Sequence, residues 1–217
     1  MKKTITFKKA FSLLEIIAVI SIVSIFYSAF VIKFDIKDNK LDAITDRLVL
    51  YLKQTRIQAL IDEQFDPTNP LWHKKRWSLK FFRCKEEIGG IYYNIYSDTN
   101  FTGQVAKLET LKDPLSNKYI YSDNSCGYVE DRSKYVLLTK EYGITNVKVS
   151  CNETESLGQL SFGSQAELYS KLSNNNYEHY EYLVEKACEI ALYNQKGDIS
   201  VIVIEPQTGF IYKKSKI

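Results

Sequence analysis

Three periods of hydrophobic and polar positions succeed one another along this chain, and each predicts a different element. Residues 11–32, FSLLEIIAVISIVSIFYSAFVI, are an apolar run of 22 residues with one formal charge, Glu15. As a helix rising 1.5 Å per residue it extends about 33 Å, close to the ~30 Å hydrocarbon thickness of a bilayer. From residue 35 to residue 64 there is no Pro or Gly, and Leu41, Ile44, Leu48, Leu52, Thr55 and Ala59 recur at steps of three and four. Asp42, Asp46, Arg47, Lys53 and Arg56 fill much of the opposite face, the pattern of an amphipathic helix. One helix over residues 11–64, roughly 80 Å long, is expected, with its first half transmembrane; two helices broken near Asp38-Asn39 are the alternative. Asp66-Pro67 and Asn69-Pro70 end the helical pattern.

After the prolines the period falls to two. Trp77, Leu79 and Phe81 alternate with Ser78 and Lys80, Gly89-Gly90 makes a turn, and residues 91–96 form a second, aromatic-rich strand. Further strands are expected at residues 135–138, 147–151, 157–162, 199–204 and 210–213, with Gly197-Asp198 and Thr208-Gly209 as hairpin turns. Residues 165–172 suit a short helix, and residues 182–193 fit either period, with strand preferred from Cys188 on. The result is an antiparallel sheet wrapped on the second half of a long helix.

Charge placement orients this arrangement. Lys2, Lys3, Lys8 and Lys9 all precede the apolar run, so the positive-inside rule keeps that end cytoplasmic and places residues 33–217 outside. A secretory signal has an apolar region of about 7–15 residues followed by a small-residue cleavage site. Here the run is longer and the small residue, Ala10, comes before it. The formal net charge is +3, and without the four leader lysines it is −1, so composition gives no general affinity for nucleic acid. No phosphate-cradling glycine loop, nucleophile-and-base pair or internal repeat is present, which argues against an enzyme. The 16 tyrosines include Tyr177, Tyr180 and Tyr182 in a polar stretch, where tyrosine is a usual contact residue.

The four cysteines, Cys84, Cys126, Cys151 and Cys188, lie in the part assigned to the outside. None is spaced as CxxC, and His73 and His179 complete no zinc pattern, so two structural disulfides are expected and neither metal nor cofactor. Three connectivities are open; Cys84 with Cys126 and Cys151 with Cys188 is preferred, because neighbours in sequence more often lie close.

The string Lys8-Lys9-Ala10-Phe11-Ser12-Leu13-Leu14-Glu15, running into an Ile/Val/Ala/Ser stretch, resembles the cleavage and methylation signal of type IV pilins and type II secretion pseudopilins. The resemblance implies that a prepilin peptidase cuts between Ala10 and Phe11, methylates Phe11, and leaves Glu15 at the fifth mature position. Ala10 stands where the family nearly always has Gly. A carboxylate in an apolar segment is costly until paired. The resemblance implies that the new amine of an incoming subunit pairs with Glu15 of the one before it, cancelling two costs and setting the register of a filament.

A looser likeness covers the head. Residues 96–103, Tyr-Ser-Asp-Thr-Asn-Phe-Thr-Gly, resemble a loop of the H-type minor pseudopilins, and Leu48, Leu52, Arg56, Ala59 and Trp77 resemble the surrounding positions. Residues 113–121, with Asp113-Pro114, resemble a segment near the calcium loop of major pseudopilins, but Leu115 and Ser116 replace its aromatic and Gly. Asx turns explain Asp98, Asn100 and Asp113 without an ion. Some pilus relatives bind DNA through a basic C-terminal segment. By that likeness Lys213, Lys214 and Lys216 would contact phosphates while Tyr212 stacks.

The expectation is therefore an α+β, pilin-like chain: a leader over residues 1–10, a transmembrane and polymerisation helix over 11–32, its amphipathic continuation over 33–64, and an antiparallel β head over 65–217. The resemblance implies a minor subunit of a secretion or pilus-like machine at the inner membrane. Its partners would be a prepilin peptidase, other pilin or pseudopilin subunits, the assembly platform and lipid. DNA joins them if the subunit belongs to a DNA-uptake pilus.

Overall fold

A computed structural model of the chain describes residues 13–31, 40–62 and 64–215. Two helices replace the single one expected: α1 spans Leu13–Val31 and α2 spans Lys40–Ile61. Asp and Asn favour helix starts over helix interiors, and Asp38-Asn39 stand directly before α2. The side chains described in α1 belong to residues 13–25, about 20 Å of helix. Among the described residues no helix is long and apolar enough to cross a membrane, so the expected long helix with a transmembrane first half is corrected on both counts.

α1 and the head are separate compact units. The head is α+β and mostly sheet. Its strands are β1 (Trp77–Arg83), β2 (Ile91–Tyr96), β3 (Ile144–Val149), β4 (Gln159–Phe162), β5 (Leu168–Tyr169), β6 (Cys188–Asn194), β7 (Ile199–Ile204) and β8 (Ile211–Lys213). They form two antiparallel sheets of four, ordered β2-β1-β4-β5 and β3-β6-β7-β8.

α2 packs against strands of both sheets, β1 and β4 of the first and β6, β7 and β8 of the second. Its buried face, Leu41, Ile44, Leu48, Leu52, Thr55 and Ala59, is the stripe the sequence predicts, with Thr45 and Tyr51 added. Each fully buried Leu or Ile is worth about 1.5–3 kcal/mol. The two buried threonine hydroxyls cost little, because Thr45 donates to the Leu41 carbonyl at 2.6 Å and Thr55 to that of Tyr51 at 2.7 Å.

Several expected boundaries shift. Residues 135–138 are not a strand; a short 3-10 turn, Lys134–Val136, leads into α3, Leu138–Tyr142. Residues 165–172 are not a helix but a tight turn followed by β5, closed by the Gly163 amide on the Glu167 carbonyl at 2.9 Å, with Ala166 at φ +66°. All six residues of β2 are buried, since the backbone at Leu111 and Ile120 covers its free edge. Thr208-Gly209 does turn β7 into β8. Gly209 has φ +58°, and a Cβ there would lie 2.5 Å from the Ala166 carbonyl.

Two disulfides staple the head in the preferred pairing. Cys84–Cys126 ties the end of β1 to the loop before α3 (Cα–Cα 5.8 Å), and Cys151–Cys188 ties the loop after β3 to the start of β6 (5.4 Å). They place the head in an oxidising, extracytoplasmic environment.

Candidate functional site

Glu15 lies in the first turn of α1, where the amide ends of a helix favour a negative charge. Its side chain is exposed, and so are its apolar neighbours: Leu13 and Leu14 are each 78% exposed, and Ile17, Ile20 and Val23 are more than half exposed. Ser21 and Ser24 donate back to the carbonyls of Ile17 and Ile20, at 2.8 and 2.7 Å. The hydroxyls are thereby satisfied within the helix, leaving a surface that gains free energy when lipid or protein covers it. Ala10 and Phe11 lie outside the described residues.

The basic C-terminal string is divided between two faces of β8. Lys213 points towards α2, with Nζ 3.0 Å from Asp42 Oδ1 and 3.1 Å from Asp46 Oδ1. Burial works against its charge, but the hydrogen bonds to Asp42 and Asp46 outweigh this and raise its pKa. Lys214 sits 2.9 Å from Glu189 of β6, which raises its pKa, and the Tyr212 hydroxyl donates to Glu205 at 3.2 Å. Lys216 lies outside the described residues. Lys213 and Lys214 are therefore not gathered into one free basic cluster.

The loops at residues 96–103 and 113–121 are held by ordinary hydrogen bonds. Asp98 accepts from the amides of Thr102 and Gly103 at 3.2 and 2.8 Å. Asn100 also accepts from the Thr102 amide, and Glu109 gathers the amides of Thr99, Asn100 and Ala106. Asp113 accepts from the Leu115 amide at 3.0 Å and the Ser116 hydroxyl at 2.8 Å. Burial disfavours its charge, yet these bonds, with Tyr51 and Arg47, hold its carboxyl below the usual range. Among the described residues no three His, Cys, Asp or Glu side chains are grouped so as to hold a metal ion.

One concave site was not evident from the sequence. Trp72 and His73 lie on a 3-10 turn, Trp72–Lys75, and Arg76 follows it directly. Arg76 is 6% exposed; its Nη1 donates to the His179 carbonyl at 2.7 Å, and its guanidinium carbon lies 3.7 Å from the Tyr169 ring centre. Burial lowers its pKa, and among the described residues no carboxylate forms an ion pair with it. Trp72 packs edge-on against Phe65 at 5.2 Å and tilts against His179 at 5.5 Å, and His179 lies 4.3 Å from Tyr180. The segment carrying His179 and Tyr180 is bounded by Tyr177 and Tyr182, both at positive φ (+63° and +68°), an uncommon conformation for a bulky residue. Tyr177 and Tyr180 are exposed, as their setting in the sequence suggests, and Tyr182 is half-buried. The only early signal of the site was this tyrosine group, because its two walls are about a hundred residues apart.

Comparison of the chain with protein-family models, curated proteins and solved structures finds no match.

Proposed function

We propose that this chain is a minor pilin-like subunit of a type II secretion or type IV pilus-like machine, processed between Ala10 and Phe11 and assembled through its N-terminal segment. The observation that carries the reading is Glu15: one carboxylate in the first turn of a helix whose other described side chains are apolar or small and exposed. Such a surface gains free energy when lipid or protein covers it. In this reading the neighbour's own helix supplies the cover, and the amine of its processed N-terminus comes to Glu15 and sets the register. The disulfide-stapled head then lies on the oxidising side of the inner membrane. Prepilin peptidase, other pilin-type subunits and the assembly platform are the partners.

Mass analysis of the protein isolated from cells with active peptidase tests the processing. Methylated Phe11 at the N-terminus is expected, and an intact Met1 overturns it. For assembly, Glu15→Ala is expected to leave the head folded and reduce incorporation into filaments; incorporation equal to wild type removes the role given to Glu15.

DNA capture through Tyr212, Lys213, Lys214 and Lys216 is the weaker reading, because Lys213 and Lys214 already pair with carboxylates of the head. A salt-dependent mobility shift of the protein, abolished by joint replacement of the three lysines with Ala, would restore it.

A further inference from the structure

A cleft of about 480 Å³ opens between the 3-10 turn after α2, the β4–β5 turn and the tyrosine loop; its lining includes Trp72, Arg76, Gln165, His179, Tyr180 and Gln207. That volume falls in the usual range for small-molecule sites. Three features of the lining bear on what fits there. The first is Arg76, a buried cation with no carboxylate partner among the described residues, whose Nε makes no hydrogen bond. Buried charges are normally paired, because an unpaired one forfeits its hydration. Glu167 also lines the cleft and its charge favours that of Arg76, but the two form no ion pair: Oε2 accepts from the Gln165 amide at 2.8 Å and Oε1 from the Tyr169 hydroxyl at 3.2 Å.

The second feature is the aromatic wall. Trp72, His179 and Tyr180 present ring surface to the cleft, and Tyr180 is 66% exposed although its ring is large and apolar. The third is the group of neutral hydrogen-bonding side chains at the mouth, Ser164, Gln165 and Gln207, all exposed. Their donors and acceptors match hydroxyl groups, which both donate and accept. A purely aromatic carboxylate would use the rings and the cation and leave these amides without a role. A ring that is apolar on its C–H face, hydroxylated at its edge and anionic at one position uses all three.

We propose that this cleft binds a carboxylated sugar, a hexuronate ring stacked on Trp72 and Tyr180 with its carboxylate turned to Arg76 and its hydroxyls to Gln165 and Gln207. This rests on the head alone and is independent of how the N-terminal segment is processed.

The test is titration of the full chain, in a mild detergent buffer, with D-glucuronate, D-glucose and benzoate, read by tryptophan fluorescence in a Trp77→Phe background so that Trp72 is the sole reporter. Saturable binding of glucuronate is expected, with glucose and benzoate each weaker by about tenfold or more, the worth of one charge-assisted or several neutral hydrogen bonds. Arg76→Gln is expected to lose the preference for glucuronate over glucose. Because Arg76 is buried, Tyr180→Ala and Gln207→Ala, both at exposed positions, are measured alongside, and each is expected to weaken glucuronate binding several-fold with the circular dichroism unchanged. The proposal fails if glucuronate does not saturate, if glucose or benzoate binds equally well, or if both exposed variants bind as wild type does.

Discussion

Arg47 of α2 reaches the buried carboxylate of Asp113, with Nη1 3.7 Å from Oδ2. The same guanidinium donates to the Tyr51 hydroxyl at 3.1 Å and lies 3.7 Å from the Tyr135 ring centre. One side chain thus joins the helix to two loops. Asp113→Ala removes the acceptor for Leu115, Ser116 and Arg47 together and is expected to lower stability by about 2–3 kcal/mol, measured by urea denaturation at pH 7. A loss below about 0.5 kcal/mol would show that the pair is replaceable by water.

Acid sensitivity follows from this carboxylate and from Asp123. Asp123 is pushed down to about 2: burial opposes its charge, but the hydrogen bonds from Ser125 and from Arg132, whose Nη1 is 2.6 Å away, prevail. Both aspartates titrate lower in the folded head than in the unfolded chain, where the usual value is about 3.9. Below the unfolded value the unfolded state binds more protons, so their contribution is complete above pH ~4 and is lost as pH falls, towards about 2 for Asp123. Thermal unfolding between pH 2 and pH 6 should show Tm falling below pH 4, with a shallower slope for Asp123→Asn. A slope unchanged in that variant would assign the acid sensitivity to other groups.

Lys213 gives a salt-dependent prediction. Its pairs with Asp42 and Asp46 are partly exposed, so Lys213→Ala is expected to cost only about 0.5–1 kcal/mol at low salt and less at 1 M NaCl, where the screening length falls to ~3 Å. Chemical denaturation in urea at both ionic strengths measures the difference. A cost that does not change with salt would mean that the lysine stem's packing, rather than its charge, holds β8 to α2.

The disulfides close loops of 42 and 37 residues. In the chain-entropy account a loop of this size is worth about 4 kcal/mol. Paired Ser substitution of Cys151 and Cys188 is expected to cost most of that under oxidising conditions. Wild type in strong reductant should unfold at a lower urea midpoint than either oxidised single-pair variant. Equal midpoints would place the stapling value near zero.

What the sequence made legible is what repeats locally. The stripe from Leu41 to Ala59 is read at steps of three and four, and it is the face α2 buries. The β6–β7 and β7–β8 turns were marked by Gly197 and Gly209, both at positive φ. The helix break was harder, because residues 33–39 carry no Pro or Gly and only the Asp38-Asn39 pair argues for a new start. α3 and β5 are short, and their character is fixed by tertiary contacts: Thr139 accepts the Ile91 amide at 2.9 Å and donates to the Ile144 carbonyl at 2.6 Å. The cleft was invisible for a different reason. Arg76 and His179 are 103 positions apart, and a string such as Trp72-His73-Lys74-Lys75-Arg76 reads as a solvated basic turn until the Tyr177–Tyr182 loop folds over it.

The packing of α2 also sets a timetable. Its apolar stripe is completed by β7 and β8, strands that leave the ribosome about 140 residues after the helix does. Until then, of its partner strands, α2 has only β1 and β4 of the first sheet and β6 of the second to pack on, so its burial is completed last. Completing the head waits for nearly the whole chain, a non-local topology that folds slowly. In a compartment that also forms disulfides, Cys84 and Cys126 can meet before Cys188 has arrived, and the staple nearer the N-terminus then shortens the search that the last strands must complete.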